Sequence, residues 1–193
     1  MERDQATSEP RQRILETADR LFYQDGIRAV GIDRIIAEAG VAKMSLYKHF
    51  SSKDELILSV LKHREATFQS SFQRAMDKHA KKTKDPLRNF FAALKEWFKT
   101  PGFRGCAFIN ASVELADPAH PASQFVREHK QRFGELLRAV IEQAVGKQAC
   151  ALAPAVGLLV EGAIVTAVIQ GSPEAADVAC AAALKLVGQK EDS

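Results

Sequence analysis

Helical periodicity extends over nearly the whole chain and limits what the chain can fold into. No segment shows the sustained alternation of apolar and polar residues that a half-buried strand requires. In the first segment, apolar residues recur at the spacing of one helix face, and these residues are Ile14, Leu15, Ala18, Leu21 and Phe22. The sequence therefore predicts an all-α fold.

Turn and capping residues divide the chain into nine predicted helices. The first begins after Ser8, with Pro10 in its first turn, and the fourth begins with a capping box formed by Ser52 and Glu55. The other boundaries follow glycine and proline signals, namely Asp25-Gly26, Gly40, Asp85-Pro86, Thr100-Pro101-Gly102, Asp117-Pro118, Gly146 and Gly171-Ser172.

Composition agrees with an intracellular globular protein. Of 193 residues, 46% are hydrophobic and 26% are charged, which excludes disordered and fibrous chains. The three cysteines show no CxxC spacing, and the polar N-terminus lacks the apolar core of a secretory signal. The apolar segment 149–172 carries Glu161 near its middle, so we interpret it as a buried helix. We therefore expect a cytoplasmic protein without a membrane partner.

The second and third predicted helices are short and flank a three-residue turn, Gly40-Val41-Ala42, which is a helix-turn-helix pattern. The net charge of +3 is too small to identify a partner by itself. However, the segment 41–53 contains no acidic residue, and its basic side chains are Lys43, Lys48, His49 and Lys53.

The third helix has an outward face suited to DNA. If Leu46 faces inward, a rotation of about 100° per residue turns Met44 and Lys48 outward. The predicted outward surface and its edges consist of Lys43, Met44, Ser45, Tyr47, Lys48 and His49. Such side chains contact base edges in the major groove or phosphates, and Lys53 adds a cation at the start of the fourth helix. A solvated, mildly basic helix pair would show the same pattern, so both interpretations remain open at this point.

The run from Gly26 to Leu56 carries a specific combination of residues. Its most specific elements are Ile35 with Ala37, Ala39-Gly40-Val41, Leu46-Tyr47, His49-Phe50 and Lys53-Asp54-Glu55-Leu56. This run closely resembles the DNA-binding segment of the TetR family of bacterial transcriptional regulators. The resemblance implies a nine-helix dimer whose three N-terminal helices bind double-stranded DNA. It also implies that Tyr47, His49 and Lys53 contact phosphates, and that Lys43, Ser45 and Lys48 lie on the recognition helix.

Three residues depart from the family pattern. Gly31 and Ala42 stand where the family usually has a capping Ser or Thr, and Met44 replaces a common Gly. The lost caps cost up to about 1 kcal/mol each, which a packed domain tolerates. Because a methionine in the groove can contact a thymine methyl, we hypothesise that Met44 helps to set operator preference.

Beyond residue 56 the resemblance is one of architecture. Helices four to eight hold ten aromatic residues, which fit either a filled core or an apolar effector pocket. Asn110, His129 and Glu161 interrupt apolar faces, and each is either a satisfied core polar group or a polar anchor for the effector. The predicted effector residues are Phe72, Phe91, Phe108, Asn110, Phe125, His129 and Glu161. Cys106 is interpreted as an inert thiol rather than a redox sensor.

The last two helices are rich in small and apolar residues on more than one face. One core cannot shield all of this surface, so we expect a second copy to cover part of it through a two-fold four-helix bundle. The predicted interface residues are Leu158, Val165, Val168, Val178, Ala182 and Leu186.

The expected function is that of a ligand-responsive regulator. Residues 1–52 form the predicted DNA-binding domain, and residues 53–193 the predicted effector-binding and dimerisation domain. We expect a homodimeric repressor that binds a palindromic operator, is released by a small apolar or aromatic effector, and uses no cofactor or metal. The alternatives are an effector-independent architectural DNA-binding protein and, with least support, an all-α enzyme, because no catalytic motif is present.

Overall fold

The computed structural model describes residues 2–189, with side chains described from residue 9 onward. This part of the chain contains nine α-helices, one 3-10 segment and no strand, which confirms the predicted all-α fold. The helices are α1 (Glu2–Asp25), α2 (Ile32–Ala39), α3 (Lys43–His49), α4 (Lys53–Ala80), α5 (Pro86–Phe98), α6 (Ala107–Leu115), α7 (Pro121–Val145), α8 (Ala153–Gln170) and α9 (Ala175–Leu186).

Two predicted helix starts are wrong, and a proline is involved in each. Helix α1 begins at Glu2, so Pro10 lies inside it rather than in its first turn; the residues before Pro10 include good helix formers, which continue the helix. The predicted helix from Gln148 instead starts with a 3-10 segment, Lys147–Leu152, and α8 begins at Ala153. A helix from Gln148 would lose the bond from residue 154 to the carbonyl of Cys150, because Pro154 has no N–H. In the first turn of α8, where Pro154 lies, that bond is not required.

The chain folds as two compact units. The first consists of Met1–Thr67 with Ala107–Glu128, and the second of Phe68–Cys106 with His129–Ser193. Helices α4 and α7 therefore each contribute to both units. The division differs from the functional boundary expected after residue 52, because the first unit also includes the start of α4 and a later segment.

The first unit is built on α1, which packs against α2 and α3. An ion pair adds to this core, since the Arg64 guanidinium contacts both carboxylate oxygens of Asp19, at 2.7 and 2.9 Å, and lies 3.9 Å from the Tyr23 ring centroid. Burial of each large apolar side chain contributes about 1.5–3 kcal/mol. The fully buried ones include Ile14, Leu21, Ile35, Leu46, Phe50 and Leu56.

The second unit combines an aromatic cluster with closely packed small residues. The rings of Phe68, Phe72, Phe90 and Phe91 follow one another with centroid separations of 5.2, 5.1 and 5.6 Å. Helix α9 packs against α5 and α8. Small side chains allow this close approach, and the buried alanines of α9 are Ala175, Ala176, Ala179 and Ala183.

Helix α8 is buried on one side only. The segment Lys147–Gln170 is long and apolar enough to cross a membrane by length and composition, and 33% of its most apolar stretch is buried within the chain. The expectation of a buried helix therefore holds for one face of α8. On the other side, Leu158 is 75% exposed, and Val165, Val168 and Ile169 are also exposed.

Candidate DNA-binding site

The turn between α2 and α3 depends on a glycine. Gly40 has φ +62°, the left-handed region in which a side chain is strained. Its N–H donates to the carbonyl of Ala37 at 3.3 Å, and the N–H of Val41 donates to Ile36 at 3.2 Å. These bonds end α2 and turn the chain into α3 within three residues, as the helix-turn-helix pattern requires.

Helix α3 presents a mixed basic and apolar face to solvent. Leu46 and Phe50 are buried, which fixes the rotation of the helix, whereas Met44 is 80% exposed and Tyr47 43% exposed. Ser45 and His49 are half-buried. Lys43 and Lys48 are exposed, and Lys43 lies 3.5 Å from the exposed carboxylate of Asp33 on α2. The predicted recognition residues of α3 therefore occupy one helix and its edges.

The helix starts in this region are capped unequally. Gly31 and Ala42 precede α2 and α3 in extended conformation, and neither provides a side-chain cap. Helix α4 is capped by the Ser52 hydroxyl, which accepts from the Glu55 N–H at 3.1 Å. The Glu55 carboxylate accepts from the N–H and the hydroxyl of Ser51, and these bonds lower its pKa. The predicted capping box thus forms with its return bond shifted by one residue.

Lys53 fastens the start of α4 to the connection between α1 and α2. Its Nζ donates to the carbonyl of Ile27 at 2.7 Å and lies 5.9 Å from the Phe22 ring centroid. Half-burial lowers the pKa of this lysine, and the nearby carboxylates of Asp54 and Glu114 oppose the shift. The ammonium carries three N–H donors, so a phosphate contact is compatible with the bond to Ile27.

Within the first unit, two residues of the segment Ala107–Glu128 contact the connection between α1 and α2 and the start of α4. Neither residue was singled out from the sequence. Glu114 accepts from the backbone N–H of Arg28 at 3.0 Å. A Cβ at Gly26 would lie only 3.0 Å from this carboxylate, so the glycine makes room for it. His120 accepts from the Ala122 N–H through Nδ1 at 3.0 Å, and its Nε2 lies 3.4 Å from Asp54 Oδ1. Glu114 lies 86 residues from Arg28, and His120 is likewise far from Asp54 in sequence. Contacts over such separations leave no local pattern in the sequence.

The first unit also contains a small cavity between α1, α4 and α6. Its volume of about 20 Å³ is close to the minimum that one water molecule needs. Asn110 lines it together with Phe22, Leu61 and Ala111.

The other predicted effector residues belong to different units. Phe108 and Phe125 pack in the first unit with ring centroids 6.4 Å apart. Phe72 and Phe91 both contact Phe90 in the second unit, where His129 is buried as well. Glu161, also in the second unit, pairs with Lys130. The first unit therefore contains Phe108, Asn110 and Phe125, and the second contains Phe72, Phe91, His129 and Glu161.

In the described part of the chain, no group of three or more His, Cys, Asp or Glu side chains is arranged to hold a metal ion. Burial raises the pKa of the Cys180 thiol to about 11, which keeps it protonated at neutral pH.

Two family models match the chain. Residues 14–60 match the model described as bacterial regulatory proteins of the tetR family, and residues 83–183 match a tetracyclin repressor-like C-terminal domain. The second match alone covers more than half of the chain. The protein therefore belongs to the TetR family of transcriptional regulators, as the resemblance of the run 26–56 indicated. Members of this family are DNA-binding transcription factors and not enzymes.

Individual relatives support the same assignment. A TetR-family transcriptional regulator from Streptomyces coelicolor, SCO4454, is 34% identical, with a TM-score of 0.82 and coverage of 93% of this chain and 95% of that one. The transcriptional repressor DhaR of Mycobacterium sp. is 33% identical over 65% of this chain and 60% of its own length. The transcriptional activator FasR of Mycolicibacterium smegmatis is 37% identical over 47% and 39%, respectively. The alignments thus span less than two thirds of these curated relatives.

Replacing Lys53 tests its predicted phosphate contact. We expect Lys53→Ala to weaken binding to all DNA sequences and to lower the slope of log affinity against log salt by about one unit. The matched control is Lys84→Ala, which removes an exposed lysine from the second unit. Titrations at several salt concentrations measure both slopes. An unchanged slope for Lys53→Ala, at unchanged thermal stability, would contradict the contact and leave only the bond to Ile27.

Replacing Met44 tests its role in sequence preference. Met44→Gly removes the most exposed apolar side chain of α3, and we expect the ranking of operator variants to change at one or two base pairs by about 1 kcal/mol or more. Competition binding on a set of single-base operator variants measures the ranking. A uniform loss of affinity, with the ranking preserved, would show that Met44 does not discriminate between bases.

Proposed function

We propose that this protein is a ligand-responsive repressor that binds a palindromic operator as a homodimer and is released by a small apolar effector. The observation that carries the proposal is the exposed face of α3, where Met44, Tyr47 and Lys48 project from a helix held by Leu46. We assign DNA binding to residues 1–52 and effector binding and dimerisation to residues 53–193, in a cytoplasmic protein. The relative DhaR is a repressor, which favours repression, whereas the relative FasR is an activator.

The seven proposed DNA contacts have distinct roles. Side chains of α3 read base edges or contact phosphates, and the half-buried Lys53 contacts a phosphate at the start of α4. The full set consists of Lys43, Met44, Ser45, Tyr47, Lys48, His49 and Lys53. Supporting this assignment, the four side chains of the set that are exposed all lie on α3.

The exposed apolar faces of α8 and α9 support the homodimer. Leu158 and Val178 are 75% and 72% exposed, and Val165, Val168 and Leu186 are each more than 40% exposed. Ala182, which lies between Val178 and Leu186 on α9, is half-buried. Isolated apolar side chains on a surface need no explanation, but a contiguous set on neighbouring helices marks an interaction site. A two-fold axis through such a face presents two copies of α3 to two half-sites.

The segment Ala107–Glu128 supports a route for the effector signal. It lies in the same compact unit as α1, α2 and α3, and Glu114 and His120 connect it to Arg28 and Asp54. Helix α7 continues from this segment into the second unit, as α4 does from the DNA-binding side. A shift of either helix on effector binding changes the contacts around Lys53. By linkage, DNA then weakens effector binding by the same factor.

Selection of bound DNA from a random pool tests the proposed function. We expect one enriched sequence with two-fold symmetry, bound at least about a thousandfold more tightly than random DNA. Tyr47→Ala provides a control that alters the proposed recognition face without changing net charge. Broad, sequence-tolerant binding would instead support the architectural alternative and exclude a specific regulator.

A charge placed on the proposed interface tests the dimer. We expect Val178→Glu to raise the dimer dissociation constant by at least about a hundredfold, because two unpaired carboxylates would be buried. The matched control is Val113→Glu, since Val113 is an equally exposed valine, at 74%, on α6. Sedimentation velocity measures the mass of both variants. If Val178→Glu forms dimers with the wild-type dissociation constant, the interface lies elsewhere.

A further inference from the structure

An ion pair between α7 and α8 leaves one carboxylate oxygen without a partner. Lys130 Nζ donates to Glu161 Oε1 at 2.5 Å, so the ion-pair partner of Glu161 lies on helix α7. Glu161 Oε2 is shielded from solvent and has no hydrogen-bond partner. A shielded acceptor without a donor is unfavourable, so a molecule that brings a donor to this point gains affinity there.

The lysine of the pair offers a donor beside that acceptor. An ammonium group has three N–H donors. One donates to Glu161, and a second is directed at Cys106 Sγ, 3.6 Å away. An unused acceptor and a remaining donor thus lie side by side. A hydroxyl group satisfies both, because it donates one hydrogen bond and accepts others.

The charges at this point favour a neutral ligand. The Lys130 ammonium and the Glu161 carboxylate are adjacent and cancel. An ammonium ligand that donates to Glu161 would lie beside the like charge of Lys130. A carboxylate ligand that accepts from Lys130 would lie beside the like charge of Glu161. A neutral hydroxyl group meets neither repulsion.

An aromatic cluster, most of it buried, adjoins the ion pair. Lys130 Nζ lies 5.8 Å from the Phe133 ring centroid, and the Phe133 ring lies 6.0 Å from that of Phe90. Phe90 in turn contacts Phe72 and Phe91, which are two of the proposed effector residues. Apolar walls with a few converging polar groups are the usual form of small-molecule sites.

We propose that Glu161 and Lys130 bind the hydroxyl group of the effector, and that the effector is a neutral alcohol or phenol with an apolar body. The hydroxyl donates to Glu161 Oε2 and accepts from Lys130, while the body packs against the aromatic residues around Phe133. This inference rests on the proposed function, because it identifies the chemical class of the effector.

Matched pairs of probes test the hydroxyl. The pairs are 2-naphthol with 2-methoxynaphthalene, and 4-propylphenol with 4-propylanisole, in which each ether keeps the acceptor and loses the donor. Calorimetric titration of the full-length protein measures binding. We expect at least one phenol to bind about tenfold more tightly than its ether, the effect of one net hydrogen bond. Binding of no probe, or equal binding within both pairs, would overturn the proposal.

Variants assign the preference to the ion pair. In Glu161→Gln, the amide oxygen accepts from Lys130 and the NH₂ group replaces Oε2, so we expect the preference for the phenol to vanish or reverse. Lys130→Met supplies a second variant, in which both members of a pair should bind more weakly. The control is Glu135→Gln, which changes an exposed glutamate of α7 and should preserve the preference. A preference that survives Glu161→Gln would overturn the proposal.

Two further measurements separate this proposal from others. Fluorescence anisotropy of labelled operator DNA records release by each probe. Hydroxyl-dependent binding without release would retain the site and contradict its effector role, whereas equal release by both members of a pair would retain the effector role and overturn the site. Sedimentation of Glu161→Gln tests whether a second copy supplies the donor instead; a changed dimer dissociation constant with unchanged probe binding would overturn the proposal.

Discussion

Burial of Leu46 and Phe50 is the interaction on which the DNA-binding surface depends. Helix α3 has only seven residues, a length at which an isolated helix is not stable in water. It also lacks a side-chain cap at its start. Its formation and its rotation therefore both come from packing against α1 and α2. Because Leu46 and Phe50 are buried, Met44 and Lys48 on the opposite face of the helix point to solvent. The packing of the core therefore determines which side chains form the DNA-facing surface.

Polar contacts then connect this core to the elements around it. Lys53 ties the start of α4 to Ile27, and Glu114 ties α6 to the backbone of Arg28, so both bonds converge on the connection between α1 and α2. This connection has no regular structure of its own and precedes an uncapped helix. Its position is therefore sensitive to the groups that bind its backbone.

The part of the fold that depends on local spacing was predictable, and the part that depends on distant contacts was not. Periodicity placed Leu46 inward, and the turn Gly40-Val41-Ala42 placed the start of α3 at Lys43, as observed. The start of α1 was predicted wrongly from Pro10, because a proline inside a helix gives the same local pattern as a proline in its first turn. Glu161 was predicted to be a satisfied polar group or a polar anchor for the effector, but nothing local identifies Lys130, 31 residues earlier, as its ion-pair partner. Glu114 and Arg28 are separated by 86 residues, and their contact was likewise invisible.

The small net charge of the chain is compatible with specific DNA binding if the protein acts as the proposed dimer. A seven-residue recognition helix reaches few base pairs, so one half-site supplies limited affinity. Two half-sites joined through a rigid interface act as one ligand, because the second contact forms at a high effective concentration. The acid-free segment 41–53 is then present twice on one DNA-facing surface, although the chain as a whole carries only +3. On this argument the exposed apolar face of α8 and α9 contributes to DNA affinity without touching DNA, and its loss weakens operator binding even when every lysine is retained.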